Sequence, residues 1–366
     1  MTDTNPLPLR EFHQNIGARF AIVNGAEAVA DYGDALAEHA ALGETAGVLD
    51  LSFRSRLCLT GTDRVRFLHG QVTNDVKKLR VGEGCYAALA TAKGKMESDL
   101  NLFVLQDELL LDFEPGLAQA VSQRLEKYIV ADDVQVVDVA PHYGLLSMQG
   151  PKAEAVVHGL GLVTQVPHAP LNFIKAADTT RGEIYLMNQP RLGSTGFDLF
   201  VPSVALAAIA DKLMAAANSV GGRACGWTAL EMARLEAGIP RFGVDMDETN
   251  IPLECAIEDR AVSYTKGCYI GQEVINRIHS IGHVNRELRG LRLADDLKTL
   301  PARGDKLFKD GKEVGYITSA LASPALKAII ALGYVRRETN QVGSELMLKT
   351  TSGEKRAIVM KLPFRV

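Results

Sequence analysis

The densest concentration of reactive residue types lies at 263–277, SYTKGCYIGQEVINR. Cys268 stands between Gly267 and Tyr269, with Lys266 two residues before it and Gly271, Gln272 and Glu273 after it. Lys266-Gly267 and Gly271 read as turn positions. From Gly271 a short helix is predicted, with Val274, Ile275 and Ile278 on one face. A cysteine at such a turn, near a lysine and a helix N-terminus, meets the usual conditions for a reactive thiolate. Nucleophile, redox sensor and cluster ligand all stay open for Cys268. So does a small buried residue in a tight junction, a common use of cysteine.

Two further constellations carry possible chemistry. The segment GCYAALATAKGKMESDLNLFVL reads as strand, turn at Lys93-Gly94, strand. That pairing puts Tyr86, Asp99 and Asn101 on one face, with Tyr86 and Asp99 as diagonal neighbours. A ring beside a carboxylate on a sheet suits a flat, nitrogen-rich ligand, although periodicity alone favours a solvent-facing polar strip of Glu97, Asp99 and Asn101. The second is GWTALEMARLEAGIP. Thr228 and Glu231 form a capping box there, and Gly238 and Pro240 end the helix. Glu236 then falls in the last turn, where a carboxylate opposes the helix dipole at a cost of roughly 0.3–1 kcal/mol. A ligand edge with two parallel N–H donors, such as a pterin or a guanine, would justify it. A hydrated surface glutamate tolerates the same cost.

The elements that must position these residues follow from composition and pattern. The chain has 366 residues, 47% apolar and 23% charged, which suits two or three domains with a substantial core. Net charge is -4 with no dense basic run, which argues against a nucleic-acid partner. Five cysteines, at 58, 85, 225, 255 and 268, include no CxxC pair, so a disulfide framework and a closed zinc site both fit poorly. His279 and His283 have i, i+4 spacing but lack an HExxH context, and read as surface histidines. The loop RFGVDMDETNIPLE carries Asp245, Asp247 and Glu248 without the glycine and final glutamate of a calcium hand, and reads as an ordered loop without metal. The start, MTDTNPLPLREF, has no signal-peptide pattern. The most apolar helical run, VALAAIADKLMAAA, is broken by Asp211 and Lys212 and is too short to span a bilayer. A soluble, cytoplasmic protein is expected.

Two segments repeat one design. LTGTDRVRFLHG and SMQGPKAEAVVHG each read as strand end, glycine, helix and His-Gly. SDLNLFVL and TGFDLFVP read as a later matched strand, and LAQAVSQRLEKY and VALAAIADKLMAA as the helix that follows. From Glu287 short alternating runs separated by ARGDK, KDGKE and TSGEK predict a small antiparallel β-barrel. The fold class is therefore α+β, with two related α+β units at 1–140 and 141–285 and a barrel at 286–366.

On these residues the chain resembles the folate-binding proteins related to the T-protein of the glycine cleavage system. KGCYIGQE at 266–273, GQVTNDV at 70–76 and AKGKMESDL at 92–100 are similar to the YgfZ branch. ARLEAGIPRFGVDMDETNIPLE and the N-terminal REFHQNIGARFAI are similar to the aminomethyltransferase branch. The resemblance implies a three-domain cloverleaf around a folate channel. It puts Tyr86 against tetrahydrofolate, Asp99 near N10, Glu236 on the pterin edge, and Cys268 as the functional thiol with Lys266 favouring its thiolate. Ser98-Asp99 keeps one of two family carboxylates, and Cys268 and Gln272 replace an acid and a basic residue of the transferase pattern. The expected function is therefore a tetrahydrofolate-binding accessory protein for iron–sulfur enzymes, acting with client enzymes or assembly proteins. The alternative is an aminomethyltransferase that takes its one-carbon unit from a lipoyl carrier protein.

Overall fold

The computed structural model describes residues 6–179, 182–350 and 353–364. They divide into two compact units. One comprises the described residues of 1–87 and 99–233, the other those of 88–98 and 234–366. The architecture is mixed α/β with several sheets and a closed barrel.

A five-stranded sheet runs in the order Gly84–Ala90, Met96–Val104, Leu109–Phe113, Ser55–Thr60, Gln135–Asp138. A six-stranded sheet runs Phe173–Thr179, Gly182–Asn188, Gly196–Pro202, Tyr143–Gln149, Gly47–Asp50, Arg223–Ala224. Each carries the same strand-to-helix passage. Ser55–Thr60 ends at Gly61 and Tyr143–Gln149 ends at Gly150. Both glycines are left-handed, at φ +95° and +121°, and a Cβ would meet Asp133 O at 2.1 Å and Thr45 O at 2.8 Å. Only glycine makes both the turn and the close approach. Helices Arg64–Gln71 and Ala153–Gly159 follow.

The expected internal match is off by one strand. Gly196–Pro202 lies beside the glycine-ended strand of its sheet and precedes the helix Leu206–Ser219. In the other sheet that place belongs to Leu109–Phe113, which precedes Ala118–Glu126, and not to SDLNLFVL. Both candidates are short apolar runs, and periodicity does not rank them.

The larger sheet buries Leu146, Met148, Phe197 and Leu199 against Val156, Leu206 and Leu213 of the two helices. Each such fully buried side chain contributes roughly 1.5–3 kcal/mol.

In the second unit six antiparallel strands close a barrel in the order Arg286–Leu293, Ala328–Arg336, Lys312–Ser323, Lys306–Lys309, Glu345–Thr350, Gly353–Met360. Inward positions alternate along each strand, and Leu291, Ile317, Val335, Leu348 and Val359 fill the interior. The turn expected at TSGEK begins on residues 351 and 352, which lie outside the described residues. No helix among the described residues is long and apolar enough to cross a membrane.

Candidate functional site

The hairpin forms as its pattern predicts. Thr91 N–H donates to Lys95 O at 2.8 Å, Gly94 N–H donates to Thr91 O at 2.9 Å, and Gly94 is left-handed at φ +72°. On it the structure brings Tyr86 and Asp99 together: the Tyr86 hydroxyl donates to Asp99 Oδ2 at 2.7 Å. Asn74 Nδ2 donates to Tyr86 O at 2.9 Å and ties the strand to the preceding loop. Glu97, Asp99 and Asn101 share a half-buried face rather than an open polar strip. A carboxylate held by a phenol in this setting is a fixed hydrogen-bond acceptor for a ligand N–H.

Asn101 extends that face into a cluster that sequence reasoning missed. Its Nδ2 donates to Asp112 Oδ2 at 3.2 Å. Asp112 Oδ1 accepts from Arg54 Nε at 2.8 Å and its Oδ2 from Arg191 Nη2 at 2.9 Å. Arg54 Nη1 reaches Glu114 Oε1 at 2.9 Å, and Arg191 Nη2 reaches Asp198 Oδ2 at 2.6 Å. All five charged residues of this network are buried or nearly so. Burial opposes ionisation of Asp112, but Arg54 and Arg191 outweigh it and hold its carboxyl well below the usual range. Burial pushes Asp198 up, Arg191 opposes, and Asp112 adds to the rise. The sequence signal was a single acid inside an otherwise apolar strand, LLLDF and GFDLFVP, since a charge in a fully buried run needs a partner. Nearby, Arg56 is fully buried and donates through Nη2 to the carbonyls of Ser52, Ala140 and Tyr143 at 3.0, 3.1 and 2.8 Å. Burial pulls its guanidinium down to about 10.

The second unit carries the remaining expected site residues. Helix Trp227–Glu236 starts one residue before Thr228, so Thr228 lies inside it rather than capping it. Gly238, left-handed at φ +67°, ends it as predicted, with its N–H on Leu235 O at 2.9 Å. Glu236 is the last helical residue, but it is not a hydrated surface group, being 0% exposed. Its Oε1 accepts from the Ser323 hydroxyl at 2.5 Å and from Ala325 N–H at 3.2 Å. Asp245 is likewise buried, and its carboxylate takes bonds from Arg234 Nη1 at 2.7 Å and from the Thr318 and Ser319 hydroxyls at 2.6 Å each. That clamp orders the loop RFGVDMDETN, in which no metal was expected.

The Cys268 segment also departs from one reading. Cys268 is exposed and is not a buried junction residue. The buried members are its neighbours: Lys266 places its ammonium 4.7 Å from the Tyr269 ring centroid, and burial pushes the Tyr269 phenol up to about 12. Gly271, left-handed at φ +88°, caps the predicted helix, which runs Gln272–Ile281 with Ile275 fully buried.

The hairpin tip packs on this turn. A Cβ on Gly271 would lie 2.5 Å from Thr91 O, and one on Gly94 would lie 3.3 Å from Val274. Lys95 Nζ donates to Thr249 O at 2.6 Å, and Met96 N–H to Asn250 O at 2.9 Å. The motifs AKGKMESDL and KGCYIGQE are thus two sides of one junction. Gly271→Ala is expected to cost at least about 2 kcal/mol, from the left-handed backbone and the backbone clash together. Chemical denaturation checks it, and a loss under about 0.5 kcal/mol would contradict the junction.

His279 meets groups other than His283. His279 Nδ1 lies 2.8 Å from Glu258 Oε1, and its ring stacks on Tyr264 at 3.7 Å. Among the described residues no group of three or more His, Cys, Asp or Glu side chains is placed to hold a metal.

Residues 9–266 match the model of the GCVT N-terminal domain, and residues 286–365 match that of the glycine cleavage T-protein C-terminal barrel domain. The chain belongs to the glycine cleavage T-protein family. An aminomethyltransferase of Halalkalibacterium halodurans is 27% identical over 100% of this chain and 99% of its own length. One of Symbiobacterium thermophilum is 29% identical over 98% of this chain and 96% of its own. The crystal structure of glycine cleavage system aminomethyltransferase T from Bartonella henselae superposes with a TM-score of 0.89 at 26% identity, covering 99% of this chain and 98% of that one. These T-protein relatives overturn the function placed first by the octapeptide. A role in iron–sulfur cluster assembly or repair, with its client enzymes, rested on short motifs at 70–76, 92–100 and above all 266–273, whereas the likeness to aminomethyltransferases spans the whole chain. Cys268 lies outside both family matches.

Proposed function

We propose that the chain is an aminomethyltransferase that moves a one-carbon unit from a lipoyl carrier protein to tetrahydrofolate. The observation that carries this reading is Asp99, half-buried on a sheet and fixed by the Tyr86 hydroxyl at 2.7 Å. When bound, tetrahydrofolate supplies the nitrogen nucleophiles that accept the one-carbon unit, with ammonia and the dihydrolipoyl carrier released. Asp99 accepts a hydrogen bond near N10 and orients that nitrogen toward the aminomethyl carbon. Tyr86 holds the carboxylate in place and packs on the folate.

Glu236 fits less simply. Its Oε1 already holds Ser323 and Ala325, so gripping a pterin edge requires those bonds to give way or the edge to share the carboxylate. The functional parts in this reading are 1–140, 141–285 and the barrel 286–366, working in the cytoplasm. The segment 266–273 is a YgfZ-type variation on the transferase fold. Cys268 and Lys266 are then peripheral to the transfer, and Cys268→Ala keeps its rate within about twofold.

Steady-state release of ammonia from an aminomethyl-loaded carrier tests the reading. Release that needs both tetrahydrofolate and this chain supports it. Release that vanishes in Cys268→Ala, with folding intact, moves the chemistry to the thiol.

A further inference from the structure

Two adjoining clefts open on the second unit, of about 690 and 520 Å³, and they share His283 and Arg337. The larger is lined by His283, Asn285, Arg286, Arg336, Arg337 and Glu338, which sets three guanidinium groups against one carboxylate.

The three arginines are held differently. Arg286 is built in: its Nε reaches Glu254 Oε1 at 3.3 Å, its Nη1 donates to the Tyr316 hydroxyl at 3.1 Å, and its guanidinium carbon lies 5.0 Å from the Tyr334 ring centroid. Arg336 meets Glu338 only at 3.9 Å, beyond hydrogen-bond reach. Arg337 is anchored through its backbone, with N–H on Asn285 O at 3.0 Å, while its side chain, like the His283 ring, makes no hydrogen bond or ion pair among the described residues. The cleft therefore combines one fixed guanidinium with two whose forks are open to a ligand.

We propose that this cleft binds an organic oxyanion, a phosphate ester or a polycarboxylate, with its charged oxygens on Arg336 and Arg337 and Arg286 as the preorganised arm. Guanidinium forks match the planar spacing of such oxygens, and an anion relieves the crowding of like charge. The volume favours an organic molecule over a bare ion, since it falls in the roughly 300–1,000 Å³ range of small-molecule sites. The adjoining cleft offers apolar walls at Ile278, Val284 and Leu288 and carboxylates at Glu258 and Asp259, which suit a ligand body carrying N–H groups. Neither Asp99 nor Tyr86 lines either cleft.

Calorimetric titration of the full chain at constant ionic strength tests it, with pyrophosphate as the phosphate probe and citrate as the polycarboxylate probe. The expected result is saturable one-to-one binding of at least one probe, with Kd below about 1 mM. Binding of pyrophosphate alone identifies a phosphate ester, and binding of citrate alone a polycarboxylate. Arg337→Ala should weaken binding at least about tenfold, the loss expected for a charge-assisted hydrogen bond. Arg337→Lys, which keeps the charge and loses the fork, should fall between. Saturable binding of neither probe overturns the proposal, as does binding that is unchanged in the Arg336→Ala, Arg337→Ala double variant.

Discussion

Asp99→Asn lowers the aminomethyl transfer rate by about 10²–10⁴-fold, the range expected when a positioned carboxylate is removed from proton handling and orientation. Tetrahydrofolate affinity changes far less, within about threefold, because the asparagine keeps an oxygen for the Tyr86 hydroxyl and nearly the same volume. A fall in kcat with little change in the folate KM is the diagnostic split. Tyr86→Phe removes the hydroxyl that holds the carboxylate and should cost less than Asp99→Asn. Thermal melting of both variants separates lost chemistry from lost fold. A loss confined to folate affinity, with kcat unchanged, would make Asp99 a binding residue only.

The second large effect is on stability. Asp112→Ala is expected to destabilise the protein by about 3–5 kcal/mol, since Arg54 and Arg191 would be left buried around a missing charge. Asp112→Asn keeps the volume and one acceptor and should cost less. The pH dependence carries a definite sign. The folded carboxyl of Asp112 titrates below its unfolded value, so its stabilisation is fully present above the ordinary range near about 4 and is lost as pH falls further. Asp198 is raised and contributes in the opposite sense: its contribution is present below that range and is lost as pH rises through its folded value. The gap between wild type and Asp112→Ala should therefore be widest above about pH 5 and narrow toward pH 3. Urea unfolding across that range measures it, and a gap independent of pH would show that the aspartate acts through packing.

Local pattern made much of this legible. The hairpin, the helix beginning after Gly271, the stop at Gly238 and the barrel all follow from short-range periodicity and turn residues, which depend on neighbours in sequence. The ionic cluster did not show itself, because Arg54, Asp112 and Arg191 meet across separations of 58 and 79 residues and no local pattern encodes such pairing. Glu236 illustrates the same limit. Its place at the helix end was readable, but its burial depends on Ser323, 87 residues away. Cys268 shows the converse error of weight: a few short motifs outweighed a whole-chain likeness, although what the structure constrains in the octapeptide includes Gly271, packed on the hairpin tip.

The central claim is tested most directly by a transfer assay with purified protein, tetrahydrofolate and an aminomethyl-loaded lipoyl carrier protein, counting methylene-tetrahydrofolate, ammonia and carrier thiols together. The account predicts turnover well above background with methylene-tetrahydrofolate and ammonia formed in equal amounts. No product, with an authentic T-protein active under the same conditions, would contradict it.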